Sequence, residues 1–147
     1  MVLALALMIA PAQDEEAPVS AAVPQTLEGR LIAVDAGHGG YDGGARAPGG
    51  RWEKEYNLRV AKLLQQALEA RGAQVVMTRE GDYALCDKNP PIRKKRQDME
   101  RRAALVLDAG AALRVSIHMN AYRDKSQSGP QVFCRGDCPA GRQLAET

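Results

Sequence analysis

Two histidines are the residues of this sequence whose type and placement point most directly to chemistry, and they are the only two in its 147 residues. His38 follows the apolar run 31–35, and His118 follows the alternating apolar run 113–117. Both runs are predicted to be strands, and the carboxyl ends of parallel strands meet at one edge of a sheet. Two histidines there suggest a metal site, and the alternative is that each is a structural residue with hydrogen bonds at a strand end.

Four carboxylates could complete such a site, because a catalytic zinc ion takes three protein ligands and a carboxylate is the usual partner of two histidines. Asp35 and Asp42 flank the glycine-rich loop that contains His38, whereas Glu53 and Glu55 open the next predicted helix. The helix dipole also favours an acid in a first helical turn, which accounts for one of the two glutamates without a metal. Spacing alone does not choose among the four.

Strands and helices alternate along the sequence and would position these groups. The predicted strands are 31–35, 74–78, 113–117 and 130–133. The first predicted helix is 54–71, the second ends at Gly110, and the third starts at Gly141. The apolar residues of the second helix face one way, and they are Met99, Ala103, Val106 and Leu107. This alternation predicts an α/β fold, with a mainly parallel sheet and helices on both faces. Functional groups then collect beyond the carboxyl ends of the strands.

Charge and composition exclude some partners. The net charge is +2, and aromatic residues make up only 4% of the chain. Because so few rings are available to stack on bases, we expect no nucleic-acid partner. The densest basic run also contains Asp98 and Glu100, and we interpret it as a solvated helix face rather than an anion site. Its basic members are Arg93, Lys94, Lys95, Arg96, Arg101 and Arg102.

The N-terminal segment has the pattern of an export signal. Residues 2–10 are apolar, too few to span a bilayer but as long as the apolar region of a signal peptide, and 10–12 resemble a small-x-small cleavage site. No basic residue precedes this run. We predict that 1–12 form a signal peptide or a weak anchor, that 13–28 form a linker, and that the folded part begins near Gly29. We therefore expect an exported protein with no stable membrane span after processing.

Three cysteines, Cys86, Cys134 and Cys138, make an odd count. A structural zinc site takes four ligands, and no histidine lies near the Cys-x3-Cys pair, so this pair is a weak metal signal. We interpret the cysteines as small apolar residues. The alternative is a disulfide between Cys134 and Cys138 after export.

Four motifs, in order along the chain, carry a resemblance to a known family. They read IAVDAGHGGYDGGA at 32–45, EKEYNL at 53–58, VMTR at 76–79 and VSIHMNA at 115–121. The sequence thereby resembles the zinc-dependent N-acetylmuramoyl-L-alanine amidases. The resemblance implies that His38, Glu53 and His118 bind zinc, which selects Glu53 from the four carboxylates. It also implies that 29–147 form a domain that hydrolyses the amide between N-acetylmuramic acid and L-alanine in peptidoglycan.

Residues 93–102 and 128–133 further resemble the germination-specific amidases of spore-forming bacteria. This implies a role in spore-cortex maturation or cell-wall remodelling, in the cell envelope or in the spore cortex within the forespore intermembrane space. Two residues depart from the family pattern. Ala36 stands where proline is usual, and Arg114 occupies a strand position that is normally apolar. Arg114 either extends its stem to solvent or lies in a strand near the sheet edge.

The catalytic glutamate of the family belongs to a Glu-x-Gly-Phe-type motif that we expect beyond Thr147, and we interpret Glu146 as a surface residue. The sequence is therefore expected to be a C-terminally incomplete amidase domain with little activity of its own. Two alternatives are a non-catalytic peptidoglycan-binding or regulatory fragment and a different metal hydrolase, such as a carboxypeptidase.

Overall fold

The computed structural model describes residues 26–90, 93–120 and 129–146. Strands and helices alternate in it, which confirms the α/β prediction. The elements, in chain order, are β1 (Leu31–Ala36), α1 (Glu53–Glu69), β2 (Gln74–Met77), α2 (Lys94–Asp108), β3 (Leu113–Ile117) and α3 (Pro139–Ala145). None of the described helices is both long and apolar enough to cross a membrane. The predicted signal segment and most of the predicted linker lie outside the described residues.

The three described strands form one parallel sheet in the order β2-β1-β3. The chain moves from β1 to β2 through α1 and then returns past β1 to β3 through α2. Because such crossovers are right-handed, the two directions place α1 and α2 on opposite faces of the sheet. The reversal of direction at β1 opens a crevice beyond the carboxyl ends of β1 and β3, where ligands bind in folds of this type.

The face under α1 is the apolar core. Alternate residues of β1, namely Ile32, Val34 and Ala36, point towards it, and Ala61 of α1 is fully buried against them. Leu27, which lies in the predicted linker, also packs against this core, and its backbone N–H donates to the carbonyl of Arg71 at 2.8 Å. The described fold thus begins slightly before the expected Gly29.

The opposite face is polar, and it corrects the interpretation of α2. Met99 and Leu107 are exposed, whereas Asp98 and Arg102 are buried, so the apolar face predicted for this helix is wrong for those two residues, and its other members, Ala103 and Val106, are only partly buried. The solvated-face interpretation is wrong for Arg102 for the same reason. The sheet presents Asp35 on this side, and Arg102 pairs with that carboxylate at 2.8 Å. A buried carboxylate requires a paired cation, and this requirement overrides the periodicity of the helix.

The predicted fourth strand is also absent. Residues 130–133 have no regular structure, and both Val132 and Phe133 are exposed. A strand is stabilised by hydrogen bonds to a neighbouring strand, and this segment pairs with none of the described strands. The last helix begins at Pro139, two residues earlier than expected. Cys138 precedes it, and its sulfur accepts the Gly141 N–H at 3.3 Å.

Candidate metal centre

Three side chains converge at the crevice beyond β1 and β3. His38 lies in the loop after β1, Glu53 is the first residue of α1, and His118 directly follows β3. One ligand atom from each lies within 4.8 Å of the other two. Oε1 of Glu53 lies 3.2 Å from Nε2 of His38 and 3.1 Å from Nδ1 of His118. The structure therefore brings together the three residues named as ligands by the resemblance, in a group that could hold a metal ion.

Two glycines make room for this group. A Cβ on Gly37 would lie 2.4 Å from the His118 ring, and a Cβ on Gly44 would lie 2.6 Å from Cδ2 of His38 and 2.7 Å from Oε2 of Glu53. Any larger residue would have to displace the histidine rings or the carboxylate. His38 itself has a φ of 62°, a left-handed conformation that is costly for a residue with a Cβ and that clusters at functional sites.

Asp42 orients His38 from the side away from the group. Its Oδ2 lies 3.0 Å from Nδ1 of His38, and its Oδ1 accepts the backbone N–H of Gly44 at 3.2 Å. Burial raises the pKa of Asp42, but the hydrogen bonds with His38 and Gly44 outweigh burial and lower it. A carboxylate on Nδ1 leaves Nε2 as the ring nitrogen that faces Glu53, as in the carboxylate–histidine pairs behind metal ions.

The carboxylate of Glu53 is held in place by backbone and side-chain donors. The backbone N–H of Ala45 donates to Oε2 at 2.9 Å, and that of Met119 donates to Oε1 at 3.1 Å. Burial raises the pKa of Glu53, but hydrogen bonds from Ala45, Asn57 and His118 outweigh burial and lower it. Glu53 is therefore a buried carboxylate kept in its charged form, which suits a cation between the two rings.

The other carboxylate candidates have different partners. Glu55 is exposed, and its Oε1 accepts the backbone N–H of Trp52 at 3.1 Å, so this side chain caps the start of α1. Asp35 lies on the polar face of the sheet and is hydrogen-bonded by Thr78, Ser116, Arg102 and Arg114. Burial raises the pKa of Asp35, but the hydrogen bonds from Thr78, Arg114 and Ser116 hold it well below its ordinary value.

Two buried arginines that sequence reasoning did not assign to the site hold the loop that contains His38. Arg102 donates to the carbonyls of Ala36 at 2.9 Å and His38 at 2.7 Å. Arg79 donates to the carbonyls of Ala36 at 2.8 Å and Gly37 at 3.0 Å, and to that of Lys54 at the start of α1. One sequence signal was present, because Asp98 and Arg102 are four residues apart on α2 and form an ion pair.

An open cavity of about 240 Å³ adjoins the group at Glu53. Of the three converging side chains, Glu53 is the one that lines it. Its other described lining residues include Ala45, Arg46, Tyr56, Met119 and Asn120.

Comparison with known proteins gives a consistent result. A family model described as N-acetylmuramoyl-L-alanine amidase matches residues 32–147. The chain is 38% identical to the germination-specific N-acetylmuramoyl-L-alanine amidase of Bacillus subtilis over 122 residues, which are 82% of this chain and 51% of that protein. It is 44% identical to the probable cell wall amidase LytH of Staphylococcus aureus over 123 residues, 82% of this chain and 36% of that protein. The chain thus spans about half or less of the length of these relatives.

Solved structures agree with the sequence relatives. The CwlD amidase of Clostridioides difficile, solved in complex with the GerS lipoprotein, has a TM-score of 0.73 and 31% identity, covering 79% of this chain and 61% of that one. An N-acetylmuramoyl-L-alanine amidase from Clostridium difficile 630 has a TM-score of 0.64 and 30% identity, covering 79% of this chain and 58% of that one.

Proposed function

The chain belongs to the N-acetylmuramoyl-L-alanine amidase family, and we propose that it provides the zinc-binding part of an enzyme that hydrolyses the amide bond between N-acetylmuramic acid and L-alanine in peptidoglycan. The observation that carries this proposal is the convergence of His38, Glu53 and His118 within 4.8 Å beside an open cavity. Three ligands and an accessible position are the arrangement that catalytic zinc sites use, whereas structural sites are closed by a fourth ligand.

The donor set fits zinc. Two imidazole nitrogens and one carboxylate are common zinc ligands. Gly37 and Gly44 have no Cβ that would collide with the three side chains. When bound, zinc would lower the pKa of a water to about 7 and polarise the amide carbonyl. Asp42 would hold the ring of His38 with Nε2 towards the metal, and the backbone donors of Ala45 and Met119 would hold Glu53.

The cavity beside Glu53 would receive the substrate. Tyr56 and Asn120 line it and offer a hydroxyl and an amide to the polar groups of a glycan or a stem peptide, and Met119 supplies apolar contact. Peptidoglycan is therefore the partner we propose. We also propose export by residues 1–12, a linker at 13–28, and action in the cell envelope. The germination-specific relative supports a spore-cortex role within that location.

Metal analysis and product analysis test this proposal together. The purified 147-residue chain is loaded with Zn²⁺, dialysed and analysed for zinc, beside His118→Ala as the ligand variant and Glu55→Gln as a matched acidic control. We expect one zinc per chain in the wild type and in Glu55→Gln, and no stoichiometric zinc in His118→Ala. Full zinc in His118→Ala would contradict the ligand set.

Each protein is then incubated with a muropeptide, and the products are identified by mass spectrometry. A new amino terminus on L-alanine supports the amidase, and a different new terminus supports another metal hydrolase. Stoichiometric zinc with little hydrolysis is the result expected of a chain that provides only the zinc-binding part. A version extended through the downstream reading frame should hydrolyse the muropeptide, and no hydrolysis by either protein would favour a peptidoglycan-binding or regulatory role.

A further inference from the structure

Asn57 lies one helical turn after Glu53 on α1, and its side chain is fully buried. Its Nδ2 donates to the carbonyl of Gly37 at 3.1 Å and to Oε1 of Glu53 at 3.4 Å. We propose that Asn57 is a positioning residue for the metal centre, one that holds the Glu53 carboxylate against the glycine loop. This inference rests on the proposed zinc function, and it assigns to Asn57 a role in metal affinity rather than in folding.

The unpaired oxygen of this side chain argues against a purely structural role. Among the described residues, no donor reaches Oδ1 of Asn57, although the atom is buried. A buried amide oxygen without a donor lowers stability, and an apolar side chain of similar volume would avoid that cost. The fold would therefore lose little stability with leucine at this position.

The two acceptors of Asn57 do not depend on it. The carbonyl of Gly37 also accepts Nη2 of Arg79 at 3.0 Å, and Oε1 of Glu53 also accepts the backbone N–H of Met119 at 3.1 Å. Removing the amide would thus leave both oxygens with a hydrogen bond. Since the fold neither requires these bonds nor benefits from the unpaired oxygen, the remaining role of the amide is positional.

The position held is the one that a metal would use. Oε1 of Glu53 lies 3.2 Å from His38 and 3.1 Å from His118, and Asn57 donates to this same oxygen from within α1. Asn57 also fixes Gly37, whose Cα faces the His118 ring so closely that a Cβ would lie 2.4 Å from it. One amide therefore ties the helix that carries Glu53 to the loop that carries His38.

The test compares metal affinity with stability in Asn57→Leu. Zn²⁺ affinity is measured by competition with a chromophoric chelator, and thermal unfolding is followed on the metal-free chain. We expect the zinc affinity to fall by about 10- to 100-fold, the range found when an outer partner of a ligand is removed. We expect the midpoint of metal-free unfolding to stay within about 5 °C of the wild type. The Co²⁺-loaded variant is expected to show a shifted visible absorption spectrum, because the Glu53 carboxylate is less restrained.

Gln65→Leu is the matched control, since it also replaces an amide by leucine on α1, but at a half-buried position where the amide of Gln65 donates to Glu69 at 2.9 Å. It should leave zinc affinity and the Co²⁺ spectrum unchanged. Asn57→Ala is a second variant, used if leucine does not fit.

Several results would overturn the inference. Wild-type zinc affinity in folded Asn57→Leu would do so, as would failure of both Asn57 variants to fold, because the amide would then serve the fold. These outcomes differ from failure of the proposed function, in which the wild-type chain itself binds no stoichiometric zinc or binds it independently of His118.

Discussion

The carbonyl oxygen of His38 accepts a hydrogen bond of 2.7 Å from Nη2 of Arg102, which lies 64 residues later on α2. The same guanidinium pairs with Asp35 and Asp98 at 2.8 Å each, and all three side chains are buried. The backbone of a candidate ligand is therefore fixed from the polar face of the sheet, although the core lies under α1 on the other face. The polar face thus contributes both to stability and to the geometry of the metal centre.

Replacing Arg102 by Met should destabilise the chain strongly. The change leaves two buried carboxylates, Asp35 and Asp98, without this cation, and breaking a buried pair costs about 3–5 kcal/mol. Urea unfolding measures the loss. Arg101→Met is the neighbouring control, because Arg101 pairs with Asp87 at the surface and its loss should cost much less than the loss of Arg102. Equal losses in the two variants would contradict the burial argument.

Acidification should weaken the fold through Asp35. Its pKa is lowered in the folded chain, so it contributes stability above about pH 4, and this contribution is lost as the pH falls further. Each proton taken up on unfolding adds about 1.4 kcal/mol per pH unit to the slope. We expect Asp35→Asn to be less stable than the wild type at pH 7 and to have a shallower slope below pH 4. Denaturant unfolding between pH 7 and pH 3, in the presence of a chelator, measures both, and parallel pH profiles would exclude Asp35 as the source.

The two glutamates of the first turn of α1 should separate in metal binding. Glu53→Gln should lose stoichiometric zinc, because Glu53 faces both histidines. Glu55→Gln should keep it and should change the unfolding free energy by no more than about 0.5 kcal/mol, since glutamine also caps a helix and the residue is exposed. Metal analysis and urea unfolding decide the matter. The reverse pattern of zinc loss would assign the ligand to Glu55.

Alanine at Gly37 should disturb the centre directly. Its Cβ would lie 2.4 Å from the His118 ring and 2.7 Å from the carbonyl of Ile117, so the ring or the strand end has to move. We expect a loss of about 1–3 kcal/mol in stability and a clear fall in zinc affinity. Gly49→Ala is the control, because nothing lies within 4 Å of that Cβ, the histidine rings included. Unchanged zinc binding in Gly37→Ala would contradict the close packing of the loop.

The sequence predicted those strands and helices whose apolar residues pack in the apolar core. The first three strands and α1 lie within two residues of their predicted bounds, because alternating or helical apolar residues meet one apolar face. Hydrophobic periodicity did not predict the buried face of α2, because the buried residues there are Asp98 and Arg102. A pattern of apolar residues assigns charged side chains to the solvent. Asp35 stayed a candidate ligand for the same reason, since its partners come from three distant segments.

The position of Arg114 illustrates what one strand cannot show by itself. Its register partner is Ala33, so its side chain shares the polar face with Asp35 and pairs with it. β3 is one of the two edge strands of the described sheet, which agrees with the explanation that Arg114 lies in a strand near the sheet edge. Only the register with β1 shows that Arg114 has a buried acidic partner as well as partial exposure.

Pairing of β3 with β1, rather than with β2, has a consequence for the order of folding events. Asp35 and Ser116 are register partners and yet lie 81 residues apart, so this pairing closes a long loop and is entropically the most expensive contact of the sheet. Glu53 can meet His38 through the local β1-α1 segment, but His118 arrives only when that loop closes. We expect this closure to limit the rate of folding, so that a metal ion that needs all three ligands binds after it. The ion should then slow unfolding and leave the folding rate unchanged, which stopped-flow refolding and unfolding with and without Zn²⁺ measure.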